Sequence, residues 1–318
     1  MNILIAGGTG QLGQSLTRYF LNQEHRVTIL SRATQVSDHE RLVYVQWDGE
    51  TLGEWAELMN KVDVVINLAG RTVNCRYTPD NLRQMMDSRV YSTRVIGQAI
   101  KVASTPPRVW LQMSTATIYA HRFDAPNDEM TGVIGGDEHD TPDYWSYSVE
   151  IAKAWEREQE EAQTPGTRKV CLRSAMTMTP DRGGIFDVLY GMTKLGLGGP
   201  VGGGGQFVSW IHEHDFLGAI ELLIDRDQVT GPVNLCAPHP LTQRDFMRML
   251  RDAVGMRVGL PATRWMAEVG AWVLRTDTEL LLKSRRVIPT RLIELGMAFE
   301  YPHWAQAARD LVAQRRSR

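Results

Sequence analysis

Four glycines, at positions 7, 8, 10 and 13, follow the short apolar run Asn2 to Ala6 and precede an amphipathic stretch reaching Leu21. That order fits strand, tight turn and helix, the arrangement that holds a dinucleotide. Gly7 and Gly8 let the chain turn where a Cβ would clash, Gly10 lets the backbone approach a pyrophosphate, and Gly13 lets the helix pack on the strand. The first N–H groups of the helix then face phosphate oxygens. The spacing matches Gly-x-x-Gly-x-x-Gly at 7, 10 and 13 and Gly-x-Gly-x-x-Gly at 8, 10 and 13. Gly7, Thr9, Gly10, Gln11, Leu12 and Gly13 are therefore candidate cofactor contacts. The competing reading is a glycine-rich βα turn that binds nothing.

Ser31 and Arg32 close the next β-rich run, Arg26 to Leu30. An acidic residue there would hold an adenosine ribose 2′-hydroxyl, whereas a hydroxyl beside a guanidinium suits a 2′-phosphate. NADP (NADPH) is thus expected over NAD, against the alternative of an ordinary exposed arginine. Asp48, after the short strand Leu42 to Gln46, either faces the adenine or forms a turn before Gly49. His212, Glu213, His214 and Asp215 look like a metal set at first sight. Residues 212 and 214 point to different sides of a helix, however, and no further His, Asp or Glu set at metalloprotein spacing accompanies them. Capping of the following helix is the preferred reading, and no metal is expected.

Those side chains need a frame. Apolar runs at Val62 to Leu68, Arg108 to Met113 and Lys169 to Arg173 alternate with helical stretches at Asp80 to Val102 and Tyr144 to Ala162. The first of these runs, closed by Ala69 and Gly70, has the continuous apolarity of a central strand covered on both faces. Alternation at these lengths predicts an α/β fold, a doubly wound parallel sheet with right-handed crossovers. From about residue 174 the texture changes. A helix at Ile185 to Leu195 leads to a glycine-dense loop, Gly196 to Gly205, then to a strand at Phe207 to Ile211 and mostly helix from Leu241 onward. The glycine loop reads as a lid over a site or as a linker.

At 318 residues, 43% hydrophobic and 23% charged, the chain can bury a large core as one domain or two lobes. A net charge of −2 argues against nucleic acid or an anionic membrane as partner. Arg315, Arg316 and Arg318 at the C-terminus read as a frayed tail. Cys75, Cys171 and Cys236 are few, odd in number and far apart, so neither a disulfide framework nor a metal knuckle is implied. The first strand starts at residue 2, leaving no space for a signal peptide, and no apolar run reaches spanning length. A soluble, cytoplasmic protein is expected.

Gly7 to Gly13, Ser31-Arg32, Asn67-Leu68-Ala69-Gly70 and Ser88-Arg89 together resemble an extended short-chain dehydrogenase/reductase. Trp155-Glu156, Leu195 to Pro200, Trp210-Ile211-His212-x-x-Asp215 and Ser284 to Pro289 resemble one atypical branch of it. That branch comprises NAD(P)-dependent epimerase family proteins, or SulA-like homologues, with a short helical C-terminal domain. The resemblance implies a Rossmann-like NADP-binding domain over 1–175, with part of 205–240 returning to it, and a smaller, mostly helical substrate lobe over 176–318. It implies cofactor contacts at Gly7, Gly10, Gly13, Ser31, Arg32, Leu68, Ala69, Gly70, Arg89 and Met176. It also implies a Tyr-x-x-x-Lys pair, the tyrosine shuttling a proton, beside a Ser or Thr that holds the substrate oxygen.

Thr115, in the run Ser114 to Tyr119, falls in the hydroxyl slot. Anchoring the helix on Glu156 puts Ser148 in the tyrosine place and Ala152 in the lysine place. A shift of one residue would bring Tyr147 toward the site, at the cost of a rotation of about 100° around the helix. Thr115 and Tyr147 are the candidate catalytic residues, with a water as the other proton donor. Thr115 reads equally as a satisfied polar residue at a strand end. His121 is either an acid or an exposed loop residue; Trp145, Trp155 and Trp210 line a pocket or fill a core; Lys194 and Gln206 flank the glycine loop. Two functions follow. One is an oxidoreductase or epimerase-like enzyme moving a hydride between nicotinamide and a small carbonyl or hydroxyl substrate. The other is an NADP(H)-binding redox-sensing or partner-binding protein without turnover. Related enzymes pair through helices on the flank of the sheet, so a homodimer is the assembly the resemblance suggests.

Overall fold

The computed structural model describes every residue except 139, 140, 143, 144 and 264–278; Tyr144, at the expected start of a helix, lies outside the described residues. The strands are β1 (Asn2–Ala6), β2 (Arg26–Ser31), β3 (Leu42–Gln46), β4 (Val64–Asn67), β5 (Val109–Thr115), β6 (Arg168–Ser174), β7 (Met176–Met178), β8 (Phe207–Val208), β9 (Trp210–His212), β10 (Gly231–Leu235) and β11 (Leu241–Thr242). Seven of them form one sheet in the order β3-β2-β1-β4-β5-β6-β10, and every pairing within it is parallel.

A wholly parallel sheet has to be covered on both faces, and β1 shows how the sequence arranges it. Ile3 and Ile5 face one way, into a core with Leu16 and Phe20 of α1 (Gln11–Asn22) and Phe216 and Ile220 of α5 (Glu213–Asp225). Leu4 and Ala6 face the other way, toward Val95 and Ile96 of α2 (Pro79–Val102). All four β1 residues are fully buried, each large one worth about 1.5–3 kcal/mol of transfer free energy. The strand order reverses between β1 and β4, which opens a crevice at their C-terminal ends.

Beyond β6 the chain builds a second cluster. Phe186 of α4 (Ile185–Lys194), Phe246 and Leu250 of α6 (Gln243–Val254), and Trp304 and Leu311 of the last helix (Trp304–Ser317) pack around Trp210. The rings of Phe246 and Trp304 stack with centroids 4.1 Å apart.

Two expectations change. The strand anticipated over Phe207 to Ile211 is two strands: β8 pairs antiparallel with β11, and β9 pairs parallel with β7. Ser209 between them turns its hydroxyl to the Arg285 carbonyl at 2.7 Å. The glycine loop is neither a lid on the crevice nor a bare linker. Gly196, Gly202, Gly203 and Gly204 are left-handed, and the Gly202 N–H donates to the Ala262 carbonyl at 2.9 Å, so the loop is pinned to the segment after α6. His212 caps α5, its Nδ1 accepting from the His214 N–H at 3.1 Å, and Asp215 accepts the N–H groups of Glu300 and Tyr301. Among the described residues no group of three metal-binding side chains occurs, and no helix is long and apolar enough to cross a membrane.

Candidate functional site

A cavity of about 520 Å³ lies over the C-terminal ends of the central strands. Gly7, Gly10, Gln11, Leu12 and Gly13 form one end of it. Three of the four glycines are fixed by packing. A Cβ on Gly7 (φ +76°) would stand 2.9 Å from the Ala69 nitrogen, one on Gly8 2.8 Å from the Ile29 side chain, and one on Gly13 2.4 Å from the Gly8 Cα. Gly10 differs, because only the Gly7 carbonyl lies near its absent Cβ, at 3.4 Å, so a side chain there would project into the crevice. Gly10 is also the N-cap of α1, and no side chain caps that helix or puts an acid in its first turn. Uncapped N–H groups beside open space fit a pyrophosphate.

Of the other candidate contacts, Leu68 and Arg89 line the cavity. Arg89 reaches it from α2, donates to the Met85 carbonyl at 3.0 Å and lies 5.0 Å over the Trp155 ring. Burial lowers its pKa to about 10, a shift that Tyr77 and Cys75 oppose. Ala69 packs on Gly7 and Gly70 lies under the Arg89 guanidinium, so both shape the cradle from behind. Met176 turns into the second cluster, while its neighbours Ala175 and Thr177 line the cavity. Thr9 is exposed. Ser31 is buried with its hydroxyl accepting the Ala33 N–H at 3.2 Å, and Arg32 is exposed at the same strand end. The Gly7 N–H donates to the Leu30 carbonyl, which sets that strand end beside the glycine turn. Asp48 is exposed, outside the lining, and closes a turn: it accepts the N–H groups of Glu50 and Thr51, and bonds with Thr51 lower its pKa to about 2.

The other end of the cavity carries Thr115, Thr117 and Ser148. Thr115 ends β5, and its Oγ1 accepts the Thr117 N–H at 3.1 Å, so the hydroxyl proton is what it can offer to a ligand oxygen. Ser148, Ile151 and Trp155 line the cavity from one stripe of α3 (Trp145–Glu161), whereas Tyr147 is half-buried and is not in the lining. One helical position separates the two side chains by about 100°.

The register of α3 is held by Glu156. Its carboxylate accepts the Ser114 hydroxyl at 2.6 Å and a two-pronged contact from Arg173 at 2.9 and 2.7 Å. Desolvation works against the Arg173 cation, but those bonds to Glu156 outweigh it and raise its pKa. Arg173 also donates to the Tyr119 hydroxyl, which donates to Asn234 on β10. One buried network thus joins β5, α3, β6 and β10.

Most of the remaining lining carries no sequence signal. Arg71, Thr72 and Tyr77 come from the loop after β4, and Arg71 carries a buried Nε with no hydrogen-bond partner. Glu279 and Arg285 come from the C-terminal region. The segment bearing them is fastened to the loop after β5: the Ser284 N–H donates to His121 Nδ1 at 2.7 Å, and Asn127 bridges to Val287. His121 is therefore a half-buried clamp packed on Trp145, not an exposed loop residue. Trp155 fills the core and the cavity wall at once, while Trp145 and Trp210 are core. One Tyr-x-x-x-Lys spacing does occur, Tyr190 and Lys194 on α4, with the ammonium 5.6 Å from the ring centroid. Neither of them lines the cavity, nor does Gln206, which ties residues 201 and 281 together.

Fold and site together define a Rossmann-like protein of the extended short-chain dehydrogenase/reductase type, with a helical C-terminal region. The model of the NAD dependent epimerase/dehydratase family matches residues 3–236, and this chain belongs to that family. A domain of unknown function, DUF1731, matches residues 263–311. An "epimerase family protein" of Staphylococcus aureus (strain N315) is 30% identical over 312 residues, covering 98% of this chain and 99% of that protein. Among solved structures, the human epimerase family protein SDR39U1 (isoform 2) with NADPH superimposes with a TM-score of 0.85 at 27% identity, covering 98% of this chain and 99% of that one. A UDP-N-acetylglucosamine 4-epimerase from Bacillus cereus, 17% identical with a TM-score of 0.74 over 100% of this chain and 97% of that one, shares the fold alone.

Proposed function

We propose that the chain is an NADP(H)-dependent oxidoreductase or epimerase-like enzyme acting on a small carbonyl or hydroxyl substrate. The observation that carries this reading is that the uncapped α1 N-terminus and the hydroxyls of Thr115 and Ser148 open into one cavity. Gly10 and the first turn of α1 hold the pyrophosphate, Arg89 lies along the crevice floor, and Ser31 and Arg32 receive the 2′-phosphate. NADPH in the solved structure of the human relative supports the phosphorylated cofactor. That cofactor supplies or accepts a hydride at its nicotinamide. Thr115 orients the reacting oxygen by donating its hydroxyl proton, and Trp155 and Ile151 exclude water from that end. Three free cysteines suit a reducing, cytoplasmic setting.

The second reading, cofactor binding without turnover, is favoured by Ser148 and Ala152 standing where a tyrosine and lysine would act. Following nicotinamide absorbance while NADPH meets a panel of aldehydes, ketones and quinones separates the two. Oxidation by at least one compound is expected; tight NADPH binding with none of them oxidised would establish the second reading. Thr115→Val should slow turnover about 10- to 100-fold, the worth of a hydrogen bond to a charged oxygen. Unchanged turnover would remove Thr115 from the reaction.

A further inference from the structure

Glu279 opens the short helical segment Glu279–Leu282 and is fully buried. Its Oε2 accepts the Ser148 hydroxyl at 2.5 Å, and its Oε1 lies 3.4 Å from Nζ of Lys283, which is itself 3% exposed. Lys283 Nζ also donates to the Thr117 carbonyl at 3.0 Å, and Arg285 Nε donates to Thr117 Oγ1 at 3.1 Å. Ser148, Thr117, Glu279, Arg285 and Thr115 share the cavity wall. An acid paired with a lysine four residues further on therefore meets the one α3 hydroxyl that occupies the tyrosine place. The spacing is that of Tyr-x-x-x-Lys, one helical turn, but the pair arrives from a different part of the chain.

A carboxylate buried on the reacting side of a cavity is costly unless it is paired, and two cations share the cost. Burial lowers the Lys283 pKa, as does Arg285 beside it, while Glu279 and Glu138 act the other way. Burial likewise lowers that of Arg285, opposed by Glu279 and by Tyr77 from the loop after β4. Lys283 is thereby a buried ammonium beside a carboxylate whose second oxygen touches Ser148.

We propose that Glu279, acting through the Ser148 hydroxyl and poised by Lys283, is the proton reservoir for the reacting substrate oxygen. This rests on the enzyme reading above. In the oxidising direction the substrate O–H bond breaks and its proton passes to Ser148 Oγ, as the Ser148 proton passes to Glu279 Oε2. The electron pair of the O–H bond becomes the second bond of the carbonyl, and the hydride leaving the same carbon is taken up by the oxidised nicotinamide. Reduction runs the same steps backward, Glu279 returning its proton through Ser148 as the hydride arrives. Ser148 is the catalytic residue of this set, and Lys283 is a positioning residue.

Glu279→Gln keeps the shape and the acceptor for Ser148 but cannot hold the travelling proton. With the most reactive carbonyl of the panel, kcat should fall at least about 100-fold, the scale of general acid–base catalysis, with KM and NADPH affinity within twofold. Lys283→Met, which removes the cation beside the carboxylate, should lower kcat in the alcohol-oxidising direction with KM and NADPH affinity within twofold, and Lys283→Arg, which keeps a cation there, should restore most of it. The carboxyl carbon resonance of [δ-¹³C]glutamate-labelled protein that disappears in Glu279→Gln should change position in Lys283→Met at one fixed pH, with no substrate present. If Glu279→Gln loses NADPH binding through misfolding, Ser148→Ala, which leaves the pair in place, carries the same prediction for kcat. Full turnover in the native protein and in both variants, or a Glu279 resonance indifferent to Lys283, would overturn the reservoir and leave the enzyme reading intact. A native protein that binds NADPH and reduces no carbonyl would overturn the enzyme reading itself.

Discussion

The two ends of the cavity are built on opposite plans. The cofactor end is made of backbone from twelve consecutive residues, Asn2 to Gly13, with each glycine accounted for by what stands against it or by the space it leaves. The reacting end is made of side chains from β5, α3 and the segment after residue 278, brought together only by folding. A backbone cradle tolerates almost no change at its tight points and little choice of residue type. A side-chain assembly can exchange one acid for another, provided the new group arrives at the same place. In this chain the usual lysine place is a buried methyl, Ala152, and an acid–lysine pair on another segment meets Ser148 instead.

If the cradle is the intolerant end, Gly13→Val should be the most damaging change. Its Cβ would enter the Gly8 backbone, so NADPH binding should drop beyond detection in a titration of intrinsic tryptophan fluorescence. Retained binding would mean that the turn can shift, and the contrast between the two ends would weaken. Next in size, Glu156→Gln leaves Arg173 buried without its carboxylate and should lower stability by about 3–5 kcal/mol in denaturant unfolding. The same change should impair turnover more than NADPH binding, since Glu156 sets the register of α3 and not the glycine turn; equal losses would show the two ends to be one mechanical unit. The smallest effect is expected from Arg32→Ala, which should weaken NADPH binding about 10-fold or more and leave NADH binding nearly unchanged. Parallel losses for both cofactors would remove Arg32 from reading the 2′-phosphate.

The same contrast explains what the sequence disclosed. Gly7 to Gly13 was legible because its chemistry is local: strand, turn and helix start are neighbours in the chain. The doubly wound sheet was legible for a similar reason, as its strands are continuous apolar runs. Boundaries suffered where tertiary contacts intervene, as at Ser209, whose bond to the Arg285 carbonyl divides one apolar run into two strands. At the reacting end, spacing alone misleads in both directions. Tyr190 and Lys194 have the sought spacing and stand on an outer helix, away from the cavity. Glu279 and Lys283 have the same spacing; Glu279 lines the cavity with Lys283 behind it, and the pair carries no local sign of this. Ser148 was located by counting from Glu156, but nothing in α3 tells that its hydroxyl has an acid partner 131 residues further along.

The clamp between His121 and Ser284 and the bridge from Asn127 to Val287 have a consequence for how such chains are divided. The two matched regions, 3–236 and 263–311, look like an enzyme and an appendage when laid end to end. In space the described segment from Glu279 to Val287 is fastened to the first region, and Glu279 and Arg285 stand in the wall of its cavity. Cutting the chain between the two regions would take two residues out of that wall, and a survey of motifs confined to the first region would describe a cavity open where the folded chain closes it.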